Sequence, residues 1–209
     1  MNTRNTLMMT ILSAAILTAC GGKKSTTEEA TTDAVASEAK AMTYTVDQSA
    51  STVNWSGEVA GVYGHNGLIG IAEGTVSTVG DSIVGGTVVI DMTTIQPLDS
   101  ASYSEEHPAS DLVAHLSTED FFMVEENPTS TFVIKSHSGN TLTGDLTVRG
   151  ITKEETATIT SLTATPEGLT ASADLVFDRQ DYEVSWVHYM EDMILSDDIT
   201  IKLDIVAKP

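Results

Sequence analysis

From Met42 onward, apolar and polar side chains alternate with a period of two, the repeat of a strand that buries one face. Val53, Trp55, Gly57 and Val59 alternate with polar or small residues. Thr75 to Val79 and Ile83 to Met92 are two runs separated by Gly80-Asp81-Ser82, a hairpin-like connection. Phe132-Val133-Ile134 leads to a turn at Ser138-Gly139-Asn140. Leu142, Gly144, Leu146 and Val148 then share one face, opposite Thr141, Thr143, Asp145, Thr147 and Arg149. Thr156 to Ala164 is the next run, with Pro166-Glu167-Gly168 as its turn. Leu169, Ala171, Ala173, Leu175 and Phe177 alternate in the same way. So do Ile199, Ile201, Leu203, Ile205 and Ala207.

One segment breaks this period. In Asp111-Leu112-Val113-Ala114-His115-Leu116 the residues Leu112, Val113 and Leu116 stand at helical spacing and can share one face. Ser110 is the expected N-cap, and Asp111 suits the positive end of the helix dipole. Phe121 and Phe122 leave the helix together, and Pro128 blocks its continuation.

The pattern predicts about eight strands of roughly six to eleven residues, joined mostly by short turns. Strict alternation suits an antiparallel sheet with one apolar face, and closing it into a barrel removes the exposed edges. A two-sheet sandwich would give the same one-dimensional pattern. Gly57, Gly144, Ala171 and Ala173 lie on the apolar faces. They either leave a barrel interior partly empty or complement Trp and Phe across a filled core.

Ahead of the strands, residues 1–19 hold Arg4, an apolar run from Leu7 to Leu17 and small residues, the layout of a secretory signal. The run is shorter than the roughly 20 apolar residues that span a bilayer. Residues 20–42 contain almost no large apolar side chain and read as a flexible tether, since they bury too little to offset their ordering entropy. Residues 43–209 form the folded domain.

Charge narrows the partners. Ten Lys and Arg against 30 Asp and Glu give a net charge of −20, and no Lys or Arg occurs from Ala41 to Ser130. A phosphate backbone needs a basic surface, so nucleic acid is excluded, and adsorption to anionic lipid is disfavoured. The one cysteine, Cys20, precedes the domain. The domain therefore has neither an internal disulfide nor a thiol nucleophile.

Candidate chemistry is sparse. His65, His107, His115, His137 and His188 show none of the pair spacings that put two metal ligands on one face, so no metal site is expected. His65 is read at a strand end or barrel mouth. No nucleophile elbow, Rossmann fingerprint or P-loop is present, so neither a catalytic residue nor a nucleotide cofactor is expected. Trp55, Ile90, Phe121, Phe122, Phe132, Leu146, Phe177 and Trp186 fit either a solid core or the lining of a long apolar cavity.

Two resemblances sharpen this reading. Leu17-Thr18-Ala19-Cys20 followed by Gly21-Gly22 resembles the lipobox of bacterial lipoproteins. It implies cleavage before Cys20, lipidation of that residue, and a membrane-anchored protein of the cell envelope facing the periplasm, with the outer membrane as the expected site. From Thr43 to Lys208 the chain is similar to the YceI-like family of polyisoprenoid- or lipid-binding proteins. The carrying pieces are Tyr44-Thr45-Val46-Asp47 with Ser51 and Trp55, Gly64-His65-Asn66-Gly67, and Asp111-Leu112 through Asp120-Phe121-Phe122. Pro128 with Thr131-Phe132, Gly144 through Lys153, Phe177-Asp178-Arg179 and Asp197-Asp198-Ile199 complete them.

The family resemblance implies an all-β, extended, eight-stranded antiparallel barrel resembling a lipocalin, with a short helical insert. It implies a tunnel for an isoprenoid, quinone-like or other long lipid, which would be the bound group in place of a cofactor. The ligand-binding residues would be Trp55, His65, Ile90, Phe121, Phe122, Phe132, Leu146, Phe177 and Trp186. Where the family often carries a basic residue after His-Leu, this chain has Ser117, which points toward a neutral headgroup. The alternative function is a ligand-free structural or protein-interaction lipoprotein with a solid core. A homodimer is compatible with either.

Overall fold

The computed structural model describes residues 40–59, 62–187 and 194–209. Its elements are β1 Ala41–Val46, β2 Thr52–Val59, β3 Tyr63–Val79, β4 Ser82–Pro97, α1 Ala109–Leu116, β5 Thr129–Ser138, β6 Thr141–Val148, β7 Ile151–Thr165, β8 Gly168–Asp178 and β9 Asp198–Lys208. All pairings are antiparallel, and the sheet closes because β3 pairs with β4 on one side and β2 pairs with both β3 and β9 on the other. The sandwich alternative is thereby excluded.

Nine strands make eight staves. β1 and β2 lie end to end between the same neighbours: β3 pairs with β2 through Tyr63–Ile69 and with β1 through Thr75–Val79. β9 likewise takes β2 at Thr200–Asp204 and β1 at Ala207 and Lys208. The stave is interrupted at 47–51, where the Ser51 hydroxyl donates to the Val206 carbonyl and accepts from the Val206 amide. A short side chain thus replaces ladder bonds lost to the extra residues.

β3 and β4 are longer than their alternation predicts. The residues from Tyr63 to Gly74 belong to β3, but register shifts between Leu68 and Gly70 and between Ile71 and Glu73 break the period there. Such bulges bend the strand and help the sheet close. The tight connections hold: Gly80 and Gly139 adopt φ of 58° and 63°, which a side chain would strain.

The expected Ser110 cap is corrected. α1 begins at Ala109 with Pro108 at its N-cap and no side-chain cap, so Ser110 lies inside the first turn. The ring-fixed φ of Pro108 fits the −74° found there, and the residue has no amide N–H that needs a partner. Asp111 does stand in the first turn. The helix ends at Leu116, where Ser117 donates its hydroxyl to the Val113 carbonyl.

The two ends of the barrel differ. The β3–β4, β5–β6 and β7–β8 turns gather at one end, where Tyr44, Leu169, Thr78 and Ala207 are almost fully buried. The Tyr44 hydroxyl donates to the Thr165 carbonyl at 3.0 Å and helps seal this end. The opposite end carries α1, the 117–128 segment and residues 179–187 and 194–197.

Candidate functional site

Alternation on the strands turns apolar side chains inward, and between the packed end and α1 they enclose a cavity of about 400 Å³. On β4 its lining runs from Ile83 to Ile95. That is about 40 Å of strand at ~3.3 Å per residue, or about 30 Å along the axis for a tilt near 40°. The space is long and slender.

All nine residues singled out in the sequence border this cavity: Trp55, His65, Ile90, Phe132, Leu146 and Phe177 from strands, and Phe121, Phe122 and Trp186 from the open end. The last group packs as a cluster. The Phe121 ring centroid lies 5.6 Å from Trp186, 6.2 Å from Phe122 and 5.0 Å from His115, which itself meets Trp186 edge-on at 5.1 Å. Leu112 and Leu116 of α1 complete the cover, so the helical spacing of those residues marks a face turned to the lumen.

The small residues divide between their two readings. Gly57, Ala171 and Ala173 front the cavity and leave it room. Gly144 instead makes way for an aromatic ring on the neighbouring strand: a Cβ there would stand 2.5 Å from Phe132 Cζ and 2.6 Å from the Val133 carbonyl. Gly67 does the same for Trp55, whose ring a Cβ would meet at 2.8 Å. The Trp55 indole donates to the Leu68 carbonyl at 3.2 Å.

Of the described cations, only Arg179 reaches the cavity wall. It is 3% exposed. Its guanidinium donates to the carbonyls of Ser196 (2.9 Å), Val184, Trp186 (3.2 Å) and Leu195 (3.4 Å), and to Asp197 Oδ1 (3.1 Å). Burial pulls its pKa down, and the charges of Asp197 and Asp178 work against that pull. The side chain ties together the connection between β8 and β9. Its donors are committed to that task.

The other described cations lie away from the lumen. Lys135 lies outside, 2.5 Å from Asp145 and 3.2 Å from Glu154, whose hydrogen bonds raise its pKa. Arg149 sits in the β6–β7 turn and not on a strand face, with φ of 51°. It donates to the Glu119 carbonyl at 2.8 Å and to the Glu183 carbonyl, linking the two connections that frame the open end.

His107 is exposed, and His137 is held by the Ile83 amide and the Gly139 carbonyl. His115 pairs with Asp120 at 3.2 Å. His188 and Cys20 lie outside the described residues. Among the described residues no group of three or more His, Cys, Asp or Glu side chains is placed to hold a metal.

Sequence reasoning missed Asp99 and Tyr103. His65 Nδ1 stands 2.7 Å from Asp99 Oδ2, and the Tyr103 hydroxyl donates to Asp99 Oδ1 at 2.9 Å. Burial raises the Asp99 pKa, but hydrogen bonds from His65, Tyr103 and Ser102 together outweigh it and hold the carboxyl below its ordinary value. Burial, then the adjacent Asp99, pushes Tyr103 upward, so it remains a neutral donor. Neither residue belongs to a strand, and no local pattern links them to His65. Tyr63, Val184 and Leu195 also border the cavity without any periodic signal.

A closed antiparallel barrel around an elongated apolar lumen, sealed at one end and helix-covered at the other, defines a lipocalin-like architecture. The YceI-like domain profile matches residues 44–207, and the chain belongs to that family. Curated UPF0312 proteins of Staphylococcus epidermidis and Staphylococcus aureus match over 42 residues at 50% and 52% identity. Those matches span 20% of this chain and 25% of the relatives' length.

Among solved structures, BcnA of Burkholderia cenocepacia superposes with a TM-score of 0.59 and 19% identity, covering 78% of this chain and 99% of that one. A polyisoprenoid binding domain from Saccharophagus degradans, implicated in plant cell wall breakdown, gives 0.52 and 9%, covering 79% and 97%. At such identities the likeness is one of fold.

Proposed function

We propose that this protein binds a long apolar amphiphile, an isoprenoid or quinone-like lipid, inside the barrel and carries or sequesters it. The observation that carries this reading is the slender apolar cavity of about 400 Å³, bordered by every strand except β1. Each CH₂ buried there contributes ~0.8 kcal/mol, so a tail alone supplies affinity without a charged contact. The polyisoprenoid-binding description of the Saccharophagus degradans domain, a protein of the same fold, is consistent with this ligand class.

The head is neutral in this proposal. Arg179 is the one described cation at the lumen and its donors face carbonyls, so a buried diphosphate would lose its hydration with little in return. A solid-cored interaction module, the competing function, has no use for such a cavity. We further propose that Cys20 is the lipidated first residue of the mature chain and holds the barrel at the periplasmic side of a membrane. Several acyl chains anchor stably where one does not.

The deciding experiment is mass spectrometry of lipid extracted from protein purified out of its native envelope. A stoichiometric long-chain lipid is expected. Ala173→Phe, which projects a ring into the cavity, should remove it while the barrel stays folded. A lipid-free protein whose interior admits no added amphiphile sinks the proposal.

A further inference from the structure

Of the polar side chains that border the lumen, several are already engaged. Arg179 faces carbonyls, Ser130 donates to the Met92 sulfur at 3.2 Å, and Trp55 donates to the Leu68 carbonyl. His65 differs. It stands on the inward face of β3, in register with inward Gly57 of β2, and only its Nδ1 edge is held. Asp99 and Tyr103, which hold that edge, do not border the cavity, whereas His65 does.

We infer that Asp99 fixes His65 in the tautomer protonated at Nδ1, so that Nε2 meets the lumen as a lone hydrogen-bond acceptor for a ligand head bearing an O–H or N–H donor. The inference rests on the lipid-binding reading above and narrows its ligand class, from isoprenoid or quinone-like lipids to those whose head carries a donor.

Proton bookkeeping leads to the tautomer. Tyr103 donates to Asp99 Oδ1, so the other oxygen, Oδ2, is free to accept. With the carboxylate ionised, the proton in the 2.7 Å contact belongs to Nδ1. The carboxylate is well sheltered, with its side chain 10% exposed against 27% for the imidazole. Rotation of the ring is opposed on two sides. Tyr103 stacks on it at 5.7 Å and 15°, and Tyr63 meets it edge-on at 5.5 Å. Nε2 has no protein hydrogen-bond partner among the described residues.

In its neutral form an imidazole so held donates Nδ1–H to Asp99 and turns only an acceptor toward the lumen. A long-chain alcohol or primary amide satisfies it. A quinone, ester or ether of equal length presents only acceptors and leaves Nε2 unpaired as water is displaced. His65 is therefore a specificity-determining residue at the open end of the lumen, and Asp99 is its positioning residue.

Geranylgeraniol and geranylgeranyl methyl ether share a tail and differ in the donor. Titrated against the full chain by tryptophan fluorescence, the alcohol should bind about tenfold more tightly, the difference made by one hydrogen bond to a sheltered partner. His65→Phe keeps a stacking ring and removes the acceptor, so the ratio of alcohol to ether affinity should fall to about one. ¹⁵N NMR of the His65 ring should report the Nδ1-protonated tautomer, and Asp99→Asn should shift that signature and shrink the advantage. Equal binding of the two probes by the unaltered protein overturns the head assignment and leaves lipid binding standing. Failure of both probes to bind overturns lipid binding itself, and the assignment with it.

Discussion

Arg179 Nη2 lies 3.1 Å from Asp197 Oδ1, across the base of the connection that leads into the last strand. The arginine is buried while the aspartate stays half in solvent, so the pair is less an ion pair than one of several hydrogen bonds from a single planar donor. Replacing Arg179 by Met keeps the stem and strands four carbonyls. A loss of about 3 kcal/mol is expected, since an unpaired buried group costs ~1–3 kcal/mol and only the Val184 carbonyl is fully buried. Arg179→Lys should recover little of it, because one ammonium cannot span that set. Urea denaturation of both variants checks this.

The two phenylalanines should separate under mutation. Phe121 is 9% exposed and packs on His115 and Trp186, so Phe121→Ala should cost about 3–5 kcal/mol in stability. Phe122 is only half-buried yet borders the lumen. Phe122→Ala should cost clearly less and weaken lipid retention disproportionately. Ligand occupancy compared at equal folded fraction distinguishes the two roles.

Gly144→Ala should destabilise the barrel by about 1–3 kcal/mol despite being a small change. The added methyl meets the Phe132 ring at 2.5 Å and the Val133 carbonyl at 2.6 Å, and backbone cannot yield as a side-chain tip can. Adding Phe132→Leu should relieve part of the loss. A thermal melt of the single and double variants measures the coupling.

Asp47 gives a pH dependence with a definite sign. Its hydrogen bond from Lys208, followed by that from Ser49, lowers its pKa from 3.8 to about 2. A carboxyl depressed on folding stabilises the native state fully above the unfolded value, and that contribution is lost as pH falls from about 4 through 2. The melting-temperature difference between the parent and Asp47→Asn should be constant from pH 7 to 5 and shrink toward zero by pH 2. High salt should reduce it at every pH, because the pair is solvent-accessible.

Strands β6, β8 and β9 were legible residue by residue, because Leu142 to Val148, Leu169 to Phe177 and Ile199 to Ala207 alternate without interruption. A strand's face is a local property with a period of two, so sequence alone determines it. The same reasoning places Trp55, Phe132, Leu146 and Phe177 inward, and the α1 face of Leu112 and Leu116 toward a core. It failed on the first half of β3, where glycines and two register shifts erase the period.

Only the tertiary structure decided what the local pattern leaves degenerate. Closure through β3 and β4 chose barrel over sandwich. Packing across neighbouring strands assigned Gly144 to a ring and Ala173 to open space. Arg179 turned inward and was consumed by carbonyls far along the chain. Asp99 met His65 across 34 residues. Hydrogen bonds and cavities of this kind depend on distances between segments that no single stretch of chain encodes. They arise when the sheet closes.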